Sequence, residues 1–206
     1  MLDKTNKLLF VHIPKCMGSS IEKLILTVNN LKTNYYPTIP DMEYYVGENK
    51  DFLKKHDMSC KYAINHLTIN DFKKIIDIEN YNSFSIVRNP YTRFISAYLF
   101  AYQQQMTFDS FVDIFDKKLI YECELYLQPQ INFVCDNSQN IIVNTILKFE
   151  NPEEINKYLN NIYNSNIDIP HEKNNKKKDI QLTEKQKASL HEQSQFLANK
   201  VPVLGI

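Results

Sequence analysis

Twice in this chain a short apolar run ends at a turn and continues as a helix, and that junction restricts the fold more than any other feature. The first run is Leu8-Leu-Phe-Val-His-Ile13. It passes through Pro14-Lys-Cys-Met-Gly18 into a helical pattern from Ser19 to about Asn30, with Ile21, Leu24, Ile25 and Val28 on one stripe. The second is Ser83 to Val87, followed by Arg88, with Asn89 as a helix N-cap and Pro90 at the first helical position. Strands that alternate with helices indicate an α/β, three-layer fold: a mainly parallel sheet flanked by helices. Ligands of such sheets bind beyond the carboxyl ends of the strands. Both turns are expected to open onto that edge.

The rest of the chain fits one domain over 1–206. A further strand is expected at Lys61 to Asn65, and helices over about 48–57, Asn70 to Asp77, Asn89 to about Gln104, and Thr107 to about Lys118. Apolar segments follow at Ile131 to Cys135 and Ile141 to Phe149. Pro152 opens a helix to Tyr163, and a last helix is expected from Thr183 to Asn199. Residues 33–48 read as an irregular, tyrosine-rich loop broken by Pro37, Pro40 and Gly47.

Composition narrows the partners. The 24 basic and 24 acidic residues balance to a net charge of zero, which argues against a broad electrostatic grip on nucleic acid or an anionic membrane. An anion site must then be local. Cys16, Cys60, Cys123 and Cys135 match neither zinc-ligand nor redox-pair spacing, so reduced thiols and no metal centre are expected. No signal sequence or long apolar run is legible, so the expectation is a soluble, cytoplasmic protein.

The two turns carry the local charge. Arg88 and Arg93 are the only arginines in the chain; every other basic residue is lysine. A planar, permanently charged fork suits phosphate better than a lysine does. Arg93 and Ser96 share a helix face, so Arg88 and Ser96 are expected to converge on one anion, with Arg93 flanking it or pairing with a carboxylate. At the first turn, Gly18 allows close backbone approach, Lys15 adds a charge, and Ser19 and Ser20 add hydroxyl donors at a helix N-terminus. The loop is not a Walker A loop, because Lys15 precedes Gly18. His12 is read as core.

In sequence the chain resembles the PAPS-dependent carbohydrate sulfotransferases of the heparan and chondroitin type, which use 3′-phosphoadenosine-5′-phosphosulfate as donor. Their first motif, His-Ile-Pro-Lys-Thr-Gly-Gly-Thr-Ser, is matched by His12-Ile-Pro-Lys-Cys-Met-Gly-Ser-Ser20. Their second, Arg-Asp-Pro, three residues to Arg, then Ser-Ala-Tyr, is matched by Arg88-Asn-Pro-Tyr-Thr-Arg-Phe-Ile-Ser-Ala-Tyr98. Asn65-His66-Leu67 and Phe149-Glu150-Asn151 are weaker echoes of a Gly-His-Leu and a Phe-Glu-Asn element, and Pro170-His171 and Leu182-Thr183-Glu184 of the family's tail. The resemblance implies a P-loop-NTPase-like sulfotransferase fold. It implies that Lys15, Cys16, Met17, Gly18, Ser19 and Ser20 hold the 5′-phosphosulfate, that Arg88 and Ser96 hold the 3′-phosphate, and that PAP is the product. Cys16 and Met17 replace Thr and Gly of the motif, which puts the loop's shape in question.

Sulfuryl transfer needs a charge on the leaving oxygen, for which Lys15 is the candidate, and a general base on the acceptor hydroxyl. His66 is the candidate base, with His171 and Glu43 as fallbacks. The acceptor is expected to be a small molecule or a glycan, and Tyr35, Tyr36, Tyr44 and Tyr45 are candidates for one wall of its site. Lys176 to Lys178 read as a solvated run. The alternative is a non-catalytic nucleotide- or glycan-binding protein on a degenerate sulfotransferase fold. A small kinase is disfavoured by the missing Walker A spacing and the lack of an acidic magnesium site.

Overall fold

The structure, a computed structural model, describes residues 1–30, 65–116, 125–167, 169 and 180–188. Its centre is a four-stranded sheet in the order β1-β2-β3-β4: Leu2–Asp3, Leu8–Val11, Asn82–Val87 and Thr145–Lys148. β2, β3 and β4 are parallel, with Val11 opposite Ser85 and Val87 opposite Lys148. β1 is antiparallel to β2, with Leu2 opposite Leu9. The sheet is thus mixed but mostly parallel and flanked by helices, the α/β arrangement expected from the alternation of strands and helices. β2 is buried along its whole length and reads as a continuous apolar run, whereas β3 buries two serines, Ser83 and Ser85, between its apolar residues. β1 was not legible: two residues give no periodicity. It is held by pairing and by Asp3, whose carboxylate accepts from Asn6, Asn29 and Tyr163.

Six α-helices are described: α1 Gly18–Val28, α2 Ile69–Ile75, α3 Pro90–Ala97, α4 Phe108–Asp116, α5 Ile131–Val134 and α6 Pro152–Tyr163. The sequence signals for their starts hold where a cap is present. Asn89 accepts from the Tyr91 and Thr92 amides ahead of Pro90, and Asn151 accepts from the Glu154 amide at the head of α6. Thr68 and Asp71 cap α2 reciprocally. The helix expected at 48–57 lies outside the described residues, as does the strand expected at Lys61 to Asn65 except for Asn65, which is in a turn, and most of the helix expected from Thr183, of which residues 184–188 are helical. Ile131 to Val134 forms a short helix, not a strand.

α3 departs from expectation at its far end. The helix running to Gln104 is replaced after Ala97 by a wider π-type turn over Tyr98–Tyr102. That turn sets Tyr98 and Tyr102 in ring contact with Phe111 (centroids 5.4 and 4.7 Å apart), and it carries Phe100 to the surface. These rings belong to an aromatic cluster under α3 and α4. A larger cluster contains the strands, α1, α2 and α6, with Phe10 and Phe84 stacked at 4.9 Å on neighbouring strands.

Candidate active site

The site begins at the carboxyl end of β2. The loop to α1 turns on two left-handed residues, Lys15 (φ 67°) and Met17 (φ 66°). Such a conformation costs a side-chain-bearing residue about 1–2 kcal/mol. Left-handed residues of this kind recur in anion-binding nests. Met17 therefore adopts the backbone that glycine takes readily, and its side chain packs on the core. The Met-for-Gly departure leaves the turn in place. α1 starts with no side-chain cap and no acid in its first turn, which leaves its positive end open to an anion. Ser19 is exposed and Ser20 is buried.

Gly18 is needed for a reason beyond phosphate approach. A Cβ there would lie 1.8 Å from Cδ2 and Nε2 of the His12 ring. His12 is buried, as expected of a core residue, and its Nδ1 hydrogen-bonds Glu22 Oε1 at 2.8 Å. Gly18 and Glu22 stand one helical turn apart on α1, so both face that ring. Glu22 was missed by sequence reasoning; its i, i+4 relation to Gly18 was the available signal.

The carboxyl end of β3 supplies the second half. Arg88 Nη1 donates to the Lys15 carbonyl at 3.2 Å, so the two turns meet. The guanidinium also donates through Nε to Thr92 Oγ1 at 3.0 Å and lies over the Phe149 ring, 4.1 Å from its centroid. Ser96 sits one turn beyond Thr92, half-buried on the same helix face. Arg88 thus reaches along the face toward Ser96, with Thr92 between them. Burial lowers the Arg88 pKa, opposed by Cys16 and Glu150. The Phe149-Glu150-Asn151 echo has a physical basis: Phe149 is the platform for Arg88, Glu150 accepts from the Asn89 amide at 2.8 Å, and Asn151 caps α6.

Arg93 does more than flank. It is buried and donates to two backbone carbonyls, Pro14 from Nε and Gln128 from Nη1, each at 2.9 Å. Gln130 was also missed: it is 1% exposed and bonds both backbone groups of Arg88 as well as the Cys16 thiol. Burial raises the Cys16 pKa to about 11, against the pull of Arg93 and Arg88, so the thiol is protonated at neutral pH.

His66 completes the cluster from the turn before α2. Its Nδ1 lies 3.1 Å from the His12 carbonyl, and its ring meets the His12 ring edge-on at 4.2 Å. A carbonyl can only accept, so Nδ1 carries the proton and Nε2 keeps the lone pair of the neutral ring. Burial holds the His66 pKa well below 6.5, with the neighbouring His12 lowering it further; its bond to the His12 backbone opposes, and Arg93 and Lys15 add to the lowering. Aromatic contacts link His66 to Lys15. His66 meets Tyr126 at 6.4 Å, Tyr126 meets Phe100 at 5.2 Å, and the Lys15 ammonium lies 3.8 Å from the Phe100 centroid. Candidate base and candidate charge donor therefore border the same aromatic wall.

His171, Glu43, Tyr35, Tyr36, Tyr44, Tyr45 and Lys176 to Lys178 lie outside the described residues. Among the described residues no cluster of His, Cys, Asp and Glu has the makings of a metal site, and no helix is long and apolar enough to cross a membrane.

Two parallel strands thus end side by side, one in a left-handed turn at Lys15 and Met17 and the other at Arg88. The chain belongs to the sulfotransferase family, whose model matches residues 1–202. Neither the curated proteins nor the solved structures give a significant match.

Proposed function

We propose that the chain, acting as one domain over 1–206, transfers a sulfuryl group from PAPS to an acceptor hydroxyl, with a carbohydrate as the acceptor class. The observation that carries this reading is the Arg88–Lys15 hydrogen bond, which joins two anion-suited turns. The uncapped start of α1 and the turn at Lys15–Met17 suit a 5′-phosphosulfate, with Cys16, Gly18, Ser19 and Ser20 completing the loop. The Arg88–Thr92–Ser96 face suits a 3′-phosphate. The carbohydrate assignment draws on the likeness of both motifs to the heparan and chondroitin enzymes.

In the reaction the acceptor oxygen attacks sulfur in line with the bond to the bridging phosphate oxygen. The S–O bond to the acceptor forms as that bridging bond breaks, and its electron pair stays on PAP. Lys15 and the α1 N-terminus neutralise the charge that develops there. The acceptor proton passes to His66 Nε2, which the His12 carbonyl leaves as the basic atom.

Calorimetry on the full chain tests the donor. Adenosine 3′,5′-bisphosphate should bind without magnesium, and Lys15→Ala and Arg88→Ala should each weaken it. A lost charge-assisted bond is worth about 1.5–3 kcal/mol, roughly 10- to 150-fold in Kd. A preference for ATP–Mg over the bisphosphate would reject the reading. Tight bisphosphate binding without turnover on any hydroxyl acceptor would favour the binding-protein alternative.

The aromatic wall gives a second expectation. Tyr126→Ala should raise the acceptor KM about 2- to 13-fold while the donor KM stays unchanged, because stacking contributes about 0.5–1.5 kcal/mol. Initial-rate kinetics with each substrate varied in turn would show this. The reverse pattern would remove Tyr126 from the acceptor side.

A further inference from the structure

Gln130 ties the Arg88 turn to the loop before α1, through the backbone of Arg88 and the thiol of Cys16. Its Oε1 accepts from the Arg88 amide at 2.9 Å and from the Cys16 thiol at 3.3 Å. Its Nε2 donates to the Arg88 carbonyl at 2.7 Å. One side-chain amide thus acts as a strand partner for Arg88 just beyond the last residue pair of β3 and β4, Val87 with Lys148. The third bond runs to the anion loop, 114 residues away in sequence. Only one orientation of the amide satisfies all three bonds, since a carbonyl must be met by the NH2 and an N–H by the oxygen. Arg93 makes a parallel tie, joining Pro14 of the loop to Gln128, two residues before Gln130. Both ties are buried, where hydrogen bonds fix geometry most firmly.

Building on the donor reading above, we propose that Gln130 is a positioning residue that sets the distance between the 5′ and 3′ anion subsites. It thereby makes the site select ligands carrying phosphates at both positions over ligands carrying one. Either subsite alone keeps its own donors when Gln130 is changed: the loop amides and Lys15 on one side, the Arg88 guanidinium on the other. What Gln130 supplies is their register. A ligand that spans both subsites depends on that register, and a ligand that fills one does not.

The test is calorimetry on the full chain with adenosine 3′,5′-bisphosphate, adenosine 5′-monophosphate and adenosine 3′-monophosphate. The readout is the preference for the bisphosphate over each monophosphate. In Gln130→Leu the preference should fall about tenfold or more, as expected when the hydrogen bonds fixing the spacing are lost. Each monophosphate should bind within about threefold of wild type. Cys16→Ala removes the loop-side bond together with the thiol's contact to the Pro14 carbonyl, and should shift the same ratio in the same direction, by a smaller factor; this variant carries the test if Gln130→Leu does not fold. Phe111→Leu, in the aromatic cluster away from the site, supplies the comparison for simple destabilisation and should leave the ratio unchanged. An unchanged preference in Gln130→Leu, or in Cys16→Ala where the leucine variant does not fold, overturns the proposal, as does an equal fall in Phe111→Leu. A wild-type protein that does not prefer the bisphosphate overturns the donor reading itself, before any variant is compared.

Discussion

Replacing His66 by alanine is expected to lower kcat by about 10²–10⁴-fold, the usual worth of a positioned general base, and to leave bisphosphate binding within about threefold of wild type. The split follows from geometry: His66 borders the aromatic wall and bonds the His12 carbonyl, and no donor-side group bonds it among the described residues. Comparable losses in turnover and donor affinity would assign His66 a folding role instead. The pH profile adds an independent check. Because His66 titrates well below 6.5, the acid limb of kcat/KM should lie below that of an ordinary histidine, with activity retained near pH 6. The sign for stability is also fixed. Between the folded pKa and 6.5 the unfolded chain binds the extra proton and the folded chain does not, so stability falls as pH falls through that window. His66→Gln should flatten this part of a melting-temperature profile. A profile with the wild-type slope would mean that His66 is not the group being titrated.

Why some of this was legible and some was not has a physical answer. β2 was readable as a continuous apolar run, and β3, α3 and α6 because Asn-Pro marks the helix starts; β4 was visible only as part of the apolar segment Ile141 to Phe149. The two anion turns were readable because their chemistry is local: a lysine, a glycine and an arginine within a few residues of a strand end. Residues that act across the fold left no such trace. Gln130 works through the backbone of Arg88, and Arg93 through that of Pro14 and Gln128, and a backbone partner has no sequence signature. Thr92 and Phe149 needed the path of the Arg88 guanidinium, which only packing decides. The π-type turn after Ala97 arises from the fit of Tyr98 and Tyr102 to Phe111, a tertiary preference that overrides the helical pattern. Scarcity was informative too. In a chain with two arginines, both sit at the site: one reaches toward the anion face, and the other secures the loop that faces it.

Gly18→Ala should be the most damaging single-methyl change in the molecule. The added Cβ would fall 1.8 Å from two atoms of the His12 imidazole, and that ring has nowhere to go. Phe10 stacks on it at 5.7 Å, His66 abuts it at 4.2 Å, and Glu22 holds its Nδ1. If the ring turns away, the buried Glu22 side chain loses its hydrogen bond, and leaving such a group unsatisfied costs about 1–3 kcal/mol. If α1 shifts instead, the uncapped N-terminus moves off the anion position and the turn at Met17 is distorted. Overpacking by either route costs about 1–3 kcal/mol or more, and in a chain of this size each kcal/mol lowers the melting temperature by about 2–4 °C. The variant should therefore melt about 5–10 °C lower and lose most of its affinity for the bisphosphate. Shaving the obstructing ring separates this collision from any other effect of the methyl group. His12→Ala alone should be destabilising, because it empties a packed site, yet on that background Gly18→Ala should cost little. A double-mutant cycle from chemical denaturation should show coupling of about 2 kcal/mol or more between the two positions. Additivity within about 0.5 kcal/mol would mean that His12 does not dictate glycine at position 18, and that the requirement comes from the loop itself.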